Sequence, residues 1–400
     1  MTHRITLAAL GQGVLTMIHF NKAVRCCSRT LAVALAAAGI VTATSAEKTS
    51  APTCVSWPGA QPPNLGSSNW LRGLDVLSSH EAWAVGEFDP QNGNPTATLI
   101  AHWDGSAWQG TTGGHGVLTD VAAVASSNAW AVGYRQSAGP SRTIILHWNG
   151  RFWRQLLPSP EGSLYGVAAI SSQNVWAVGT QGHRSLIMHW NGSNWKRVAS
   201  PNPGGLSNTN AFYSVDALSA TRIWAVGEYT HRDVQKTLVA RWNGSSWKHV
   251  ASPNPVGTSG RNLNVLDGVT ALSRSNVWAV GFDGAKSSDR NTLIEHWNGR
   301  SWNHVASPNP GASDGSVLAD VAGISPGNVW AVGNYGPSTA HHGLVLHWNG
   351  SGWAQAATPD LGDMPGPNLS GVTATPTGRV WAVGRYFQGG PQLSLVIRCS

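Results

Sequence analysis

The sequence predicts an all-β fold, a seven-bladed β-propeller of four-stranded antiparallel blades in which the amino-terminal strand completes the last blade. Three observations predict it. The tetrapeptide Trp-Ala-Val-Gly occurs seven times at intervals of 46 to 54 residues, which indicates a repeat architecture. Each repeat holds short apolar runs rich in Val, Ile and Trp, with no helical periodicity. The last repeat lacks its fourth run, and a similar segment precedes the first repeat.

The first run of each repeat has an apolar residue twelve positions before the tetrapeptide and another three positions later, as at Leu118 and Val121. A short polar turn leads into the second run, which contains the tetrapeptide. Runs of this kind, bounded by Gly, Asn, Ser and Pro, are typical of strands joined by tight turns. The seven tetrapeptides begin at Trp83, Trp130, Trp176, Trp224, Trp278, Trp330 and Trp381.

The third run ends in Trp-Asn-Gly or Trp-Asp-Gly, and the fourth run begins with another Trp five residues on, as at Trp148 and Trp153. Asn-Gly tolerates positive φ and predicts a hairpin. Four antiparallel strands repeated radially form a propeller blade. All 21 Trp except Trp57 and Trp70 recur at repeat positions, so we predict that they pack between blades.

A His or Arg precedes the third-run Trp in every repeat. A group that is present in every blade predicts a structural role, because catalysis needs singular residues. These positions are His102, His147, His189, Arg241, His296, His347 and Arg398.

The two ends of the chain carry the parts of one blade. Trp57 and the following Pro62-Pro63-Asn64 match the fourth-run Trp and the Ser-Pro-Asn-Pro tail of other repeats. In that alignment Cys399 replaces the third-run Trp, and Cys54 falls in or beside the turn facing it. We therefore predict a Cys54–Cys399 disulfide, in keeping with an exported protein.

Residues 1–46 have the pattern of an export signal. Basic residues precede the apolar run 31–41, and small residues lead to Ala46. The run is shorter than the roughly 20 residues that span a bilayer, so we expect cleavage, with retention as an anchor as the alternative. Residues 47–53 are then a short linker, residues 54–400 form the propeller, and the protein is secreted or held at the cell surface. Met1 and Met17 both remain possible starts.

Charge and composition indicate no nucleic-acid partner. The formal net charge is +7, but residues 1–46 carry four basic and no acidic residues, and no basic run follows. His183, His231, His341 and His342 show no metal-ligand spacing beyond one adjacent pair. We expect no cofactor, no metal and a monomer.

The loops of one face predict the binding surface. The turns between strands one and two and between strands three and four are short and uniform. The other connections, which alternating strand direction places on the opposite face, differ widely between repeats. Binding normally resides on loops held by a rigid scaffold. We therefore predict that this variable-loop face binds a partner.

Aromatic residues recur on the variable-loop face just after the tetrapeptide, and Trp70 lies in the approach to the first blade. We expect them to contact a ligand such as a glycan; alternatively they cap the core at strand ends. The candidate ligand-binding residues are Trp70, Phe88, Tyr134, Tyr229, Phe282, Tyr335 and Tyr386.

The repeat resembles that of secreted bacterial propellers built from Trp-Ala-Val-Gly and His-Trp-Asn-Gly units, over residues 54–400. It is more distantly similar to sialidase-type (BNR) propellers and photosystem II assembly-factor propellers. It departs from the sialidase Asp-box, because Asn149-Gly150-Arg151-Phe152-Trp153 lacks the residue between Asn and Gly. The resemblance therefore implies a propeller and carries over no catalytic residue.

We predict a secreted interaction module that binds a glycan or an extracellular protein on the variable-loop face. The alternative is a carbohydrate-active hydrolase or lyase, and a structural envelope protein is a third possibility. The hydrolase or lyase would use carboxylates of that face, whose separation would define the chemistry. Candidate carboxylates are Glu87, Asp89, Glu228, Asp233, Asp283 and Asp289.

Overall fold

A computed structural model describes residues 52–56, 61–90, 94–157, 159–257, 262–285, 289–337, 339–359, 361, 363–375 and 377–400. The predicted export signal, most of the linker and Trp57 lie outside these residues. The described residues form 28 β-strands and one short 3-10 helix, Ala312–Asp314. None of the helices in this part of the chain is long and apolar enough to cross a membrane.

The strands recur in groups of four. The first strands are β2 (Ser68–Ser78), β6 (Val117–Ala125), β10 (Ser163–Ser171), β14 (Asn210–Ser219), β18 (Leu263–Ser273), β22 (Ser316–Ser325) and β26 (Asp363–Ala374). The second strands, which carry the tetrapeptides, are β3 (Glu81–Asp89), β7 (Asn128–Arg135), β11 (Asn174–Gln181), β15 (Arg222–His231), β19 (Asn276–Gly284), β23 (Asn328–Tyr335) and β27 (Val380–Phe387).

The third strands are β4 (Ala97–Trp103), β8 (Arg142–Trp148), β12 (Arg184–Trp190), β16 (Val234–Trp242), β20 (Asn291–Trp297), β24 (His342–Trp348) and β28 (Gln392–Cys399). The short fourth strands are β5 (Trp108–Thr111), β9 (Trp153–Gln155), β13 (Trp195–Val198), β17 (Trp247–Val250), β21 (Trp302–His304) and β25 (Trp353–Gln355). The last group takes its fourth strand, β1 (Cys54–Ser56), from the start of the described chain.

Within each group the strands pair antiparallel in sequence order, which confirms the predicted four-stranded repeat. Five groups are separate four-stranded sheets. A single parallel residue pair, Ser68 with Gln392, joins the first and last groups into one eight-stranded sheet. The first strand of each group also contacts the first strand of the next group, and β26 contacts β2.

Tryptophan side chains pack neighbouring groups together, as the sequence predicts. Trp83 lies 5.0 Å from Trp148 and 5.1 Å from Trp153 of the next group, measured between ring centroids. The contact repeats along the chain, and Trp381 of the last group lies within 6.4 Å of Trp103 and Trp108 of the first. These rings form the aromatic part of the core between sheets.

The recurrent His before the third-strand Trp has a structural role, as predicted. His102 stacks on Trp83 with ring centroids 4.1 Å apart, and its Nε2 lies 3.0 Å from the Glu81 carboxylate. Equivalent histidines stack on the tetrapeptide Trp in two further groups and pack against it at a tilt in two others. Where Arg replaces His, Arg241 places its guanidinium over Trp224.

The amino-terminal strand completes the last group. β1 pairs antiparallel with β28, and Cys54 and Cys399 form the predicted disulfide. Asn64 accepts a hydrogen bond from the Ser394 amide at 2.8 Å. Asn202 of a Ser-Pro-Asn-Pro tail accepts the same bond from Ser185, so the alignment of the Pro-Pro-Asn tail is confirmed.

The register of β1 corrects one part of the sequence alignment. Trp148 pairs with Trp153 in the second group, whereas Cys399 pairs with Cys54 in the last. Cys54 therefore occupies the fourth-strand position that the sequence assigned to Trp57, because a disulfide requires its two residues to face each other across the strands. Both cysteines pack in one buried cluster with Trp330.

Candidate functional site

Every first strand has a β-bulge one residue after its conserved Leu or Phe. At this point the register with the second strand slips by one residue, as between Leu71 and Gly73. The Gly of the tetrapeptide lies opposite, and a Cβ on Gly86 would stand 1.9 Å from the carbonyl oxygen of Trp70. That clash explains why Gly recurs there.

The bulged residues line a cavity of about 390 Å³, which is walled by the first strand of every group and so lies on the axis of the repeat. A bulge re-aims a side chain, and here the repeats present six different residue types at the seven bulges that line this axial cavity. The bulged residues are Arg72, Thr119, Tyr165, Tyr213, Asp267, Ala319 and Ser370.

The sequence reasoning missed these residues because it compared loops and not positions within strands. The signal was present, since the neighbouring apolar residues are uniform while this position changes from Arg to Thr, Tyr, Asp, Ala or Ser. A variable position inside an otherwise uniform strand indicates a side chain outside the packed core.

Four aspartates in the cavity wall join adjacent sheets. In Asp120, Oδ1 accepts the Val121 amide at 2.8 Å and Oδ2 accepts the Val167 amide of the next group at 2.8 Å. Asp75, Asp216 and Asp320 make the corresponding pairs of bonds. Burial raises the pKa of Asp320 to about 7. The two backbone donors offset part of this rise, and the charge of Asp216 adds to it. We interpret these aspartates as structural.

A second cavity, of about 810 Å³, opens at the variable-loop end beside Trp70. The Arg72 and Arg385 guanidiniums each lie 3.7 Å from the centroid of the Trp70 ring. The indole Nε1 of Trp70 donates to the Ser370 hydroxyl at 2.7 Å. Arg72 lines both cavities, so the Trp70 cavity adjoins the mouth of the axial one.

Charged groups of both signs line the Trp70 cavity. Arg72 forms a salt bridge to Glu87 at 2.6 Å, and the Arg385 Nη1 donates to the Gln392 side-chain oxygen at 2.7 Å. Burial, followed by the charge of Arg72, lowers the pKa of Arg385. The described lining holds three arginines, Arg72, Arg135 and Arg385, against the two carboxylates of Glu87 and Asp89, which leaves an excess of positive charge there.

The predicted aromatic residues do not form one surface. Trp70 and Tyr134 line the same cavity, and Phe282 lies under the Arg290 guanidinium at 4.5 Å. The other four pack against buried clusters, a position that fits the core-capping alternative. They are Phe88, Tyr229, Tyr335 and Tyr386.

The reason is strand geometry. Tyr134 and Phe282 come directly after the Gly of the tetrapeptide, whereas the four core-packed rings come one residue later. Successive side chains of a strand point to opposite faces of the sheet, so the two sets lie on opposite sides.

A tyrosine and carboxylate cluster connects the two cavities. The Tyr165 ring lies 6.1 Å from Tyr134 and 5.5 Å from Tyr213, measured between centroids. The Tyr213 hydroxyl donates to Glu228 Oε1 at 2.8 Å. Tyr165, Tyr213 and the neighbouring Asp267 all line the axial cavity.

The predicted loop acids fall in three strand groups, two acids in each: Glu87 with Asp89, Glu228 with Asp233, and Asp283 with Asp289. Glu87 is paired with Arg72, Asp89 accepts a hydrogen bond from Thr96 at 3.1 Å, and Asp283 is buried. Within the described part of the chain, no three His, Cys, Asp or Glu side chains converge on a point where a metal ion could bind.

No known protein family and no curated protein matches the sequence. Solved structures do match. A structure described as YCF48 bound to D1 peptide is 15% identical, with a TM-score of 0.53 over 88% of this chain and 95% of that one. The WD40 repeats of RRP9 are 14% identical, with a TM-score of 0.55 over 87% and 98%.

An extracellular domain of a one component system from B. thetaiotaomicron is 11% identical, with a TM-score of 0.51 over 87% of this chain and 40% of that one. At these identities the similarities establish the fold alone. The chain forms a β-propeller of repeated four-stranded antiparallel sheets.

Proposed function

We propose that this protein is an exported, monomeric, seven-bladed propeller that binds a partner in the Trp70 cavity. One observation carries the proposal: the cavity gathers the Trp70 indole, packed against two guanidiniums, and excess positive charge from three neighbouring strand groups, at the end of the fold where the loops differ between repeats. Concave sites with a few convergent polar groups are the usual ligand sites of proteins.

The chemistry of the cavity favours a polypeptide segment with an acidic group. A guanidinium offers paired donors that match a carboxylate. Arg385, which is bonded to the neutral Gln392 side chain, presents one beside the Trp70 indole, whereas Arg72 is paired with Glu87. The similar YCF48 structure holds a peptide, which supports a polypeptide partner. An acidic glycan would use the same donors and remains the second ligand class.

Export is part of the proposal and is supported by the Cys54–Cys399 disulfide, since disulfides persist mainly in oxidising compartments. The hydrolase or lyase alternative is less well supported. It needs two carboxylates placed on either side of a scissile bond, whereas Glu87 is paired with Arg72 and both Glu228 and Asp283 are buried.

The test is a screen of purified protein on peptide and acidic-glycan arrays, with Trp70→Ala and Arg385→Gln as variants. We expect the wild type to retain a set of acidic peptides and each variant to bind them at least about tenfold more weakly. Phe152→Ala is the matched control, because Phe152 is a 53% exposed aromatic residue in a strand three to four turn on the opposite face. Its binding should equal that of the wild type.

Three results would contradict the proposal. The first is a wild-type protein that binds nothing on either array. The second is binding that Phe152→Ala abolishes and Trp70→Ala leaves intact. The third is chemical turnover of an array hit, measured by mass spectrometry, which would favour the enzyme alternative.

A further inference from the structure

We propose that the axial cavity binds an ammonium group, such as the side chain of a lysine in a partner polypeptide, between Tyr213 and the carboxylates of Glu228 and Asp267. This site is separate from the Trp70 cavity, and the inference does not depend on what the Trp70 cavity binds. Three sets of observations support the proposal.

The first is the state of the Glu228 carboxylate. Its side chain is 6% exposed, and its Oε1 accepts the Tyr213 hydroxyl at 2.8 Å. Its Oε2 is buried and accepts no hydrogen bond from any described residue. A buried carboxylate oxygen without a donor is costly. Glu228 lies behind the lining residue Tyr213, so a cationic group entering the cavity beside Tyr213 would offset that cost.

The second is the position of Asp267. It is the bulged residue of the sheet next to that of Tyr213, and it lines the axial cavity. Burial, followed by the charge of Glu228, raises the pKa of Asp267 to about 7, while Arg290 offsets part of this rise. Among the described residues, no salt bridge within 4 Å reaches Asp267 or Glu228. A bound cation would therefore be attracted by both carboxylates.

The third is the aromatic wall. Tyr165 and Tyr213 line the cavity with ring centroids 5.5 Å apart. Electron-rich ring faces attract cations, and the attraction grows where water is excluded. Burial also raises the pKa of Tyr213, so its hydroxyl stays protonated and continues to donate to Glu228.

The size and field of the cavity favour a single side chain over a larger group. A volume of about 390 Å³ admits an alkyl stem ending in an ammonium. Asp75 also lines the cavity, and because burial raises its pKa only to about 6, it keeps its charge at neutral pH and adds a negative potential along the axis. Arg72, at the mouth of the cavity, is already paired with Glu87.

The experiment measures binding of Nα-acetyl-lysine amide, which keeps the side-chain ammonium, to the full disulfide-bonded protein by ligand-observed NMR. We expect a Kd on the order of 1 mM for a ligand of this size. N-acetyl-norleucine amide, which keeps the stem and lacks the charge, should bind at least about tenfold more weakly. Cadaverine tests the other source of the same group, because tighter binding of this free diamine would assign the site to small amines.

Glu228→Gln and Asp267→Asn should each weaken lysine-amide binding about tenfold or more while circular dichroism remains unchanged. Glu161→Gln, which removes a half-exposed carboxylate paired with Arg142, should bind like the wild type. Equal binding of the lysine and norleucine amides would overturn the proposal. So would wild-type affinity in both cavity variants. If Glu228→Gln fails to fold, Asp267→Asn alone decides between these outcomes.

Discussion

At the scale of the residue, Glu295 is the clearest exception to the repeat. It is fully buried in β20, at a third-strand position facing the Ala of the tetrapeptide. Burial raises its pKa well above the usual value, and the Ser252 hydroxyl offsets only part of the effect. The other repeats place apolar residues here: Ala101, Leu146, Met188, Ala240, Leu346 and Ile397.

We expect Glu295→Met to stabilise the protein by about 1–3 kcal/mol at pH 8, because it removes a buried polar group and Met188 shows that the position accepts Met. Burial raises the folded-state pKa of Glu295 above its unfolded value, so Glu295 keeps its proton in the folded state. The free energy of unfolding therefore includes a favourable contribution from this proton below the unfolded pKa, and that contribution is lost as pH rises. The gain should therefore be smaller at pH 4.5. Guanidinium unfolding of both proteins at the two pH values measures it.

The reverse exchange, Met188→Glu, is the matched control, and it should destabilise the protein at pH 8 and less so at pH 4.5. A Glu295→Met variant that is less stable than the wild type at pH 8 would show that the carboxyl group makes a favourable buried interaction.

At the scale of the element, the bulged first strand both joins neighbouring sheets and shapes the axial cavity. Each aspartate of the cavity wall accepts a hydrogen bond from a backbone amide of the next sheet with one carboxylate oxygen, as Asp120 accepts from Val167. Adjacent sheets thus share hydrogen bonds as well as tryptophan contacts.

Asp120→Asn should destabilise the protein by about 1–3 kcal/mol, because the amide nitrogen can accept neither the Val121 nor the Val167 N–H and one buried donor loses its partner. Asp314→Asn, an exchange at an exposed residue, should change stability by no more than about 0.5 kcal/mol. Thermal unfolding compares the two. An equal effect of both exchanges would show that the Asp120 bonds do not join the sheets.

The amino-terminal strand β1 is held by few backbone pairs and by one covalent bond to β28. Reducing the Cys54–Cys399 disulfide, which closes a loop of 345 residues, should cost about 6 kcal/mol in the chain-entropy treatment, an upper-end figure. Guanidinium unfolding with and without reductant measures the change, with Cys54→Ser/Cys399→Ser as the non-reducible reference. An unchanged midpoint would mean that the bond does not hold the last sheet together.

At the scale of the whole molecule, the repeat period was sufficient to predict the strands, the tryptophan packing between sheets and the disulfide. It could not predict the register of β1, since Trp57 and Cys54 both fit the alignment of the fourth-strand Trp. The period also could not predict the contact between Trp70 and Arg385, because these residues lie more than 300 residues apart and meet only where the first and last groups join. The division of the aromatic residues between two sheet faces follows from strand alternation and was within reach of the sequence.

Several buried acids make the whole fold sensitive to pH. Burial raises the pKa of Asp75 to about 6, and it raises those of Asp267 and Asp320 to about 7. Between pH 4 and 7 these acids bind more protons in the folded state than in the unfolded state, so their contribution to stability falls as pH rises. Burial lowers the pKa of five histidines, which acts in the opposite direction, but the buried acids with raised pKa values outnumber them. We expect a higher melting temperature at pH 5 than at pH 8. A higher value at pH 8 would contradict these shifts.

The central claim is that partners bind at the mouth of the axial cavity beside Trp70. Carbene footprinting of the protein with and without a peptide captured on the array tests it most directly. We predict protection of Trp70, Tyr134 and Arg385, with unchanged labelling of Phe152 on the opposite face. Protection of Phe152 and its neighbouring turns, with Trp70 still labelled as in the free protein, would contradict the claim.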